Sequence, residues 1–441
     1  MARRLLAIAV FAAFLSPVTG TAVASPASNL KRALSKAMSG AGSSSGAFVM
    51  DASSGRTMFS RRGTTPRILA SNTKLFTSAA VLGRYGRGSS LATMLIGAGS
   101  LQPNGIWKGT LYLRGGGDPT FGSRSFARDT YGSSASVEAL AGELGQAGFK
   151  SVTGSVIGDE SSFDSLRGGP SSGYGISQYV GPLSALSFNR GVASGGWQRN
   201  PPLVAATRLY DALLARGIKV GGKARTGTTP AGSVELAEVR SPDVGHLLLL
   251  QNKPSDNYIA EMLLKGLPMA ASTGGSLRTS ADPMPVTPTP DSPTAQQATT
   301  STKRGTTKAG ASAAMKYAHS LGVSVRMVDG SGLSRADRAA PKQIVRLLRA
   351  LRRRAGFSAF YTSLSIAGRD GTLASRMRSG PAHGRCHAKT GTLSDVSALS
   401  GYCVTRSGRT LIFSVLNNRT NIYNARAVQD RVAQTLAAYR G

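Results

Sequence analysis

The sequence predicts a multidomain α+β/α/β protein in which an antiparallel sheet is covered by helices and carries an inserted α/β region. Three observations support this. Strand patterns at 385–393, 396–405 and 410–417 follow one another across short turns and close on a helical pattern at 425–439, as expected for an antiparallel sheet with a helix laid over it. Helical periodicity over 71–82, after Ser255, over 311–321 and over 341–354 supplies more covering helices. Between 87 and 240 the texture changes to short strand candidates, such as 110–114 and 151–158, separated by Gly- and Ser-rich turns. With 441 residues, 41% of them hydrophobic, the chain is long enough to bury a large core and divide in this way.

In chain order, the first unit is 1–24. Arg3 and Arg4 precede an apolar run from Leu5 to Leu15, and Ala22-Val23-Ala24 stands before Ser25, the layout of an export signal peptide with its cleavage site. That run is too short to span a bilayer, and no later segment offers ~18 uninterrupted apolar residues. The expectation is an exported chain, periplasmic or extracellular and cell-wall associated, with no transmembrane helix after cleavage. Residues 25–86 form the N-terminal part of the main domain, with a hairpin over 46–60 and a helix whose Leu75, Phe76, Ala79 and Leu82 share one face. Residues 87–240 are the inserted α/β domain or domains. There Gly115-Gly116-Gly117 lacks the Gly-Lys-Ser or Gly-Lys-Thr of a phosphate loop and reads as a turn. Residues 241–441 complete the main domain. Within them, 268–310 is dominated by Thr, Ser, Pro, Gly and Ala and is expected to be a disordered insert.

Charge narrows the partners. Lys and Arg number 53 against 21 Asp and Glu, a net +32, and such a field attracts polyanions. For an exported chain these are anionic wall polymers or a membrane surface rather than nucleic acid; the competing reading, that the charge serves solubility, stays open. Arg352-Arg353-Arg354 reads as a solvated helix end matched to the helix dipole. The two cysteines, Cys386 and Cys403, flank an expected turn at Ser394 and Asp395 and fall roughly opposite each other on adjacent strands. An oxidising compartment favours a disulfide between them. Zinc held with His383 and His387 is the rival, weakened by the lack of a second ligand cluster, and neither a metal nor another cofactor is expected.

Chemistry concentrates in three motifs: Ser71-Asn72-Thr73-Lys74, Ser255-Asp256-Asn257 and Lys389-Thr390-Gly391. A serine hydroxyl is a poor nucleophile until a neighbouring base removes its proton. On a helix, Ser71 and Lys74 share a face, and burial near positive groups lowers a lysine pKa until neutral amine is available. Ser255 offers a hydroxyl for a proton relay and Asn257 an amide to hold a substrate backbone. On an edge strand Gly391 permits close approach of a substrate, and Lys389, Thr390 and Thr392 are candidates to bind a carboxylate. The main-chain N–H groups of Ser71 and Thr392 then point at a developing oxyanion. Two decoys share the spacings. Ser28-Asn29-Leu30-Lys31 has no obvious amphipathic helix following it, and Ser187-Phe188-Asn189 lies out of context. Neither His-Glu-x-x-His nor Gly-x-Ser-x-Gly with a His partner stands out, which disfavours a metalloprotease or a Ser-His-Asp enzyme.

The ordered triple is the signature of serine β-lactamases and penicillin-binding proteins. Over nearly all of its mature length the chain resembles the low-molecular-mass class C penicillin-binding proteins, the D-alanyl-D-alanine carboxypeptidases and endopeptidases. Further matching stretches are 117–121, 181–186 and 329–335, and the 184 residues between Ser71 and Ser255 suit the family's habit of inserting domains there. The 268–310 insert is longer than the family's usual connection. The resemblance implies a β-lactamase-like serine DD-peptidase fold acting on peptidoglycan stem peptides. Ser71 would attack between two terminal D-alanines to form an acyl-enzyme, with Lys74 taking its proton. Ser255 and Lys389 would help pass a proton to the leaving amine, Asn257 would position the acyl chain, and Thr390 and Thr392 would engage the terminal carboxylate. β-Lactam antibiotics would acylate Ser71. For Arg335 two roles stay open, reaching a carboxylate on the substrate side chain or shaping its own turn. A β-lactamase or esterase on the same fold, and an inactive basic wall-binding protein, are the alternatives.

Overall fold

In the computed structural model, residues 25–269, 277–279 and 304–441 are described; the expected signal peptide lies outside them. Six strands form an antiparallel sheet in the order Ser365–Ile366, Cys386–Leu393, Val396–Val404, Thr410–Asn418, Ser45–Asp51, Thr57–Arg61. Alternation sends side chains to two separate cores. Phe48, Met50, Ala398, Tyr402, Ile412 and Leu416 enter one, while Ala47, Val49, Leu399, Cys403, Leu411, Phe413 and Val415 enter the other. Both faces are buried, so these strands read as nearly continuous apolar runs.

The first face is covered by helices Thr73–Tyr85, Val244–Asn252, Asn257–Gly266, Thr307–Ser320 and Pro341–Leu351. The Tyr402 hydroxyl crosses the layers to donate to the Leu348 carbonyl at 2.8 Å. Helix Asn257–Gly266 is buried all round from Tyr258 to Lys265 rather than on one face. Its Lys265 ammonium is matched inside by Asp164 at 2.5 Å.

Helices Pro26–Ala37 and Ile422–Ala438 cover the second face. The first of these corrects an expectation. Ser28 and Lys31 do lie on an amphipathic helix, capped by Ser25, with Leu30, Leu34 and Ala37 buried at helical spacing. Both decoy side chains are nevertheless exposed, and the Ser28 hydroxyl donates to the Ser25 carbonyl.

Residues 89–240 build a second, mixed sheet. Strand Ser89–Leu101 pairs antiparallel with Ile106–Gly115 and Val234–Arg240, and Ser151–Val152 and Val156–Asp159 run parallel to Ile106–Gly115. Helices Val137–Gln146 and Pro201–Ala215 close a core of their own with Leu140, Leu144, Leu209 and Leu213.

The segment 268–310 also departs from expectation where it is described. Leu277–Thr279 pairs antiparallel with Leu91, Ser90 and Ser89, and a helix begins at Thr307. Backbone pairing at an otherwise open strand edge needs no large apolar side chains, which is why composition does not betray it. Residues 270–276 and 280–303 lie outside the described ones. Among the described residues no helix is long and apolar enough to cross a membrane.

Cys386 and Cys403 stand directly opposite each other in the ladder and are bonded, so neither is a zinc thiolate. His387, on the other face of the strand, stacks on Tyr361 with ring centroids 4.2 Å apart. The disulfide closes a span of 17 residues, for which chain entropy gives about 3 kcal/mol. The double variant Cys386→Ser/Cys403→Ser is therefore expected to keep its near-UV spectrum but lose about 2–3 kcal/mol in urea unfolding, and reductant should reproduce the loss in the unsubstituted protein.

Candidate active site

Ser71 is carried by a 3-10 turn, Ala70–Asn72, that runs straight into helix Thr73–Tyr85. The expected helix thus starts two residues later than its periodicity suggests. The cause is local: Ala70 takes φ +47°, a left-handed conformation that no α-helical residue adopts and that a surrounding structure must hold in place. Gly332 closes over this turn, and a Cβ there would stand 1.9 Å from the Ala70 carbonyl oxygen. On the other side lies strand Cys386–Leu393. The Asn72 side-chain amide donates to the Lys389 carbonyl at 3.1 Å, and a Cβ on Gly391 would stand 3.0 Å from both the Leu69 carbonyl oxygen and the Ser71 nitrogen.

One helical turn on, Lys74 is wholly buried. Its Nζ donates to Ser71 Oγ at 3.1 Å, Asn257 Oδ1 at 2.7 Å and the Ser331 carbonyl at 2.7 Å, so each of the three ammonium donors has a partner. Burial pushes its pKa down to about 8, against the pull of Asp329, Glu261, Asp256 and Asp337. Lys389 is equally buried, with Nζ donating to the Thr390 carbonyl at 3.2 Å. Burial, and then the neighbouring Lys74 charge, hold its pKa well below the usual lysine range.

Asn257 opens its helix behind Asp256, whose carboxylate caps the Ile259 N–H at 2.9 Å and pairs with Arg190. The asparagine amide bridges two parts of the chain, since Nδ2 donates to the Tyr179 carbonyl at 3.1 Å while Oδ1 faces Lys74. Ser255 takes φ +65° in the turn that delivers this helix. Its hydroxyl is not among the hydrogen-bond partners of Lys74 or Lys389 within the described residues. Asn189 of the second decoy lies elsewhere, accepting the Ser123 N–H at 2.8 Å.

At the far end of the strand, Thr390 Oγ1 donates to Thr372 Oγ1 at 2.7 Å, while Thr392 is exposed and accepts from Arg426 Nη2 at 3.4 Å. Arg335 makes a bidentate pair with Asp395 at 2.7 and 3.1 Å. This pair ties the 329–335 turn to the hairpin turn at 394–395.

Sequence reasoning passed over a layer of carboxylates behind Lys74. Glu261, on the helix that carries Asn257, accepts the Gly330 N–H at 3.1 Å and the Ser331 N–H at 2.8 Å, and so fixes the backbone leading into the Ser331 carbonyl that accepts from Lys74. Asp329 accepts from Gly332 and Ser334, and Asp337 from Val328 and the Thr73 hydroxyl. Burial beside Asp329 pushes the carboxyls of Glu261 and Asp337 up. A signal existed: Glu261 is an acid in an otherwise apolar helical run, four residues after Asn257.

This arrangement can activate a serine with a partly neutral amine. The model of the D-Ala-D-Ala carboxypeptidase 3 (S13) family matches residues 27–195, 197–284 and 294–439. A D-alanyl-D-alanine carboxypeptidase from Actinomadura sp. (strain R39) is 29% identical, with 91% of this chain and 82% of that protein covered. A Mycobacterium tuberculosis carboxypeptidase is 27% identical across 88% of this chain and 79% of its own length. The fold is shared with the crystal structure of penicillin binding protein 4 from Haemophilus influenzae, at a TM-score of 0.71 and 20% identity over 90% of this chain and 97% of that one. With the family match running from the first covering helix to the last, on either side of the Ser71–Lys74 pair, the chain belongs to the D-Ala-D-Ala carboxypeptidase 3 (S13) family, a family of serine peptidases.

Proposed function

We propose that the protein is an exported serine DD-peptidase that cleaves the D-Ala-D-Ala bond of peptidoglycan stem peptides, and the same bond type in cross-links, through an acyl-enzyme on Ser71. The observation that carries this reading is the contact of Lys74 Nζ with Ser71 Oγ at 3.1 Å, made by an amine whose pKa burial lowers to about 8.

In this mechanism neutral Lys74 takes the Ser71 proton as Oγ attacks the carbonyl carbon of the penultimate D-alanine. The Ser71 and Thr392 N–H groups receive the oxyanion; the approach of Gly391 to the Ser71 nitrogen brings the two segments together. The second N–H of the Asn257 amide, left over from Tyr179, holds the acyl chain. As the C–N bond breaks, the leaving amine takes from Lys74 the proton that began on Ser71; Ser255 and Lys389, which make no hydrogen bond with Lys74 among the described residues, assist that transfer once the substrate lies between them. Water then hydrolyses the ester, returning the serine hydroxyl and a shortened peptide. A β-lactam enters by the same attack and is released slowly. The net charge of +32 suits anionic wall polymers as the surroundings in which the enzyme works.

Labelling by fluorescent penicillin tests the nucleophile. Wild type is expected to hold a lasting adduct, and Ser71→Ala to lose labelling and DD-peptidase activity by about 10³-fold or more while staying folded; rapid turnover of the drug would instead indicate a β-lactamase. The base has its own signature. Protonated Lys74 cannot accept a proton, and with a pKa of about 8 only about a tenth of it is neutral at pH 7. The acylation rate constant should rise roughly tenfold per pH unit below pH 8 and level off above it. A profile flat from pH 6 to 9 in stopped-flow acylation would remove Lys74 from this role.

A further inference from the structure

Side chains alternate along strand Cys386–Leu393. Cys386 and Ala388 enter the core beneath helix Ile422–Ala438, and Thr392 meets Arg426 of that same helix. Gly391 instead faces the Ser71 turn, and Lys389 shares its parity, with an ammonium fully buried beside Lys74. A carboxylate that docks against Thr392 is therefore on the face of the strand away from Lys389. Another cation has to meet it.

Arg426 stands there. It is half-buried in the second turn of its helix, and its side chain makes one hydrogen bond, the 3.4 Å contact with Thr392 Oγ1. Neighbouring guanidiniums are already matched, Arg335 by Asp395 and Arg376 by Asp430. Arg426 forms no ion pair among the described residues. A partly desolvated cation without a counter-ion is costly, and a planar fork of N–H donors beside the exposed Thr392 fits a carboxylate bidentately. Beside the Thr392 N–H, which receives the oxyanion of the proposed reaction, the group within reach is the carboxylate on the next residue of the substrate.

We infer that Arg426 is a specificity-determining residue that binds the C-terminal carboxylate of the leaving D-alanine and so selects chains with a free acid end. This rests on the DD-peptidase reading above. Thr392 and Arg426 hold the carboxylate together, the hydroxyl turning its proton to the anion once the guanidinium shifts onto it. Thr390, occupied by Thr372, keeps the strand end in place.

The test compares a stem-type peptide ending in D-Ala-D-Ala with a free carboxylate against the same peptide with that carboxylate amidated, using wild type, Arg426→Ala and Arg426→Lys. For the free acid, Arg426→Ala should lose about 10- to 100-fold in kcat/KM, chiefly through KM, since the contact exists before and during the reaction. The amide should be cleaved at rates within about twofold in both proteins, which also shows that the variant is folded. Arg426→Lys keeps the charge without the fork and should recover part of the loss. Equal losses on both peptides, or no loss on the free acid, would overturn the inference while leaving the proposed function intact. A wild type that cleaves neither peptide and takes no penicillin label overturns both.

Discussion

The burial of the Lys74 ammonium among neutral acceptors is the constraint on which the rest of the structure depends. A carboxylate in direct contact would stabilise the charged form and remove the amine as a base. Here the direct partners are a hydroxyl, an amide oxygen and a peptide carbonyl, and the acids Glu261, Asp329 and Asp337 stand one step further back. Desolvation and distant attraction then oppose each other, and the balance leaves the pKa at about 8. Glu261 serves this arrangement without touching the lysine, because it holds the N–H groups of Gly330 and Ser331, and the Ser331 carbonyl on the next peptide accepts from Lys74.

Such a balance survives only if the surrounding segments are held rigidly. The serine turn is clamped between two close approaches, Gly332 over the Ala70 carbonyl, where no side chain fits, and Gly391 tight against Leu69 and Ser71. The amide of Asn72 joins it to the strand through the Lys389 carbonyl. The strained φ of Ala70 is carried by these contacts. The second sheet takes part as well. Loops from the 87–240 region reach helix Asn257–Gly266 through the Tyr179 carbonyl, the Arg190–Asp256 pair and the Lys265–Asp164 pair, so the helix that presents Asn257 is braced from both sheets.

Much of this was legible before any coordinates. The hairpin over 46–60, the three C-terminal strands and the closing helix appear where their patterns place them, because period-2 and period-3.6 signals are strong when a segment is long and packs on one sheet. The three motifs contain the serine, the lysine and the asparagine that meet. Helix Pro26–Ala37 escaped notice because a narrow stripe of Leu30, Leu34 and Ala37 suffices to dock it on a neighbouring helix. Leu277–Thr279 escaped because backbone pairing leaves no mark in composition.

By itself, the sequence determined which residue types stand at helical or strand spacing from one another, and therefore that a serine and a lysine would share a helical face and that Cys386 and Cys403 would fall roughly opposite each other. Only the tertiary structure decided which way each charge is compensated: that Lys389 lies sealed beside Lys74, that Arg335 is matched by Asp395, and that Arg426 has no counter-ion among the described residues. The reason is physical. Spacing is a property of the local backbone, whereas desolvation and pairing depend on what distant segments bring within a few ångströms, and one sequence read alone has no measure of that distance.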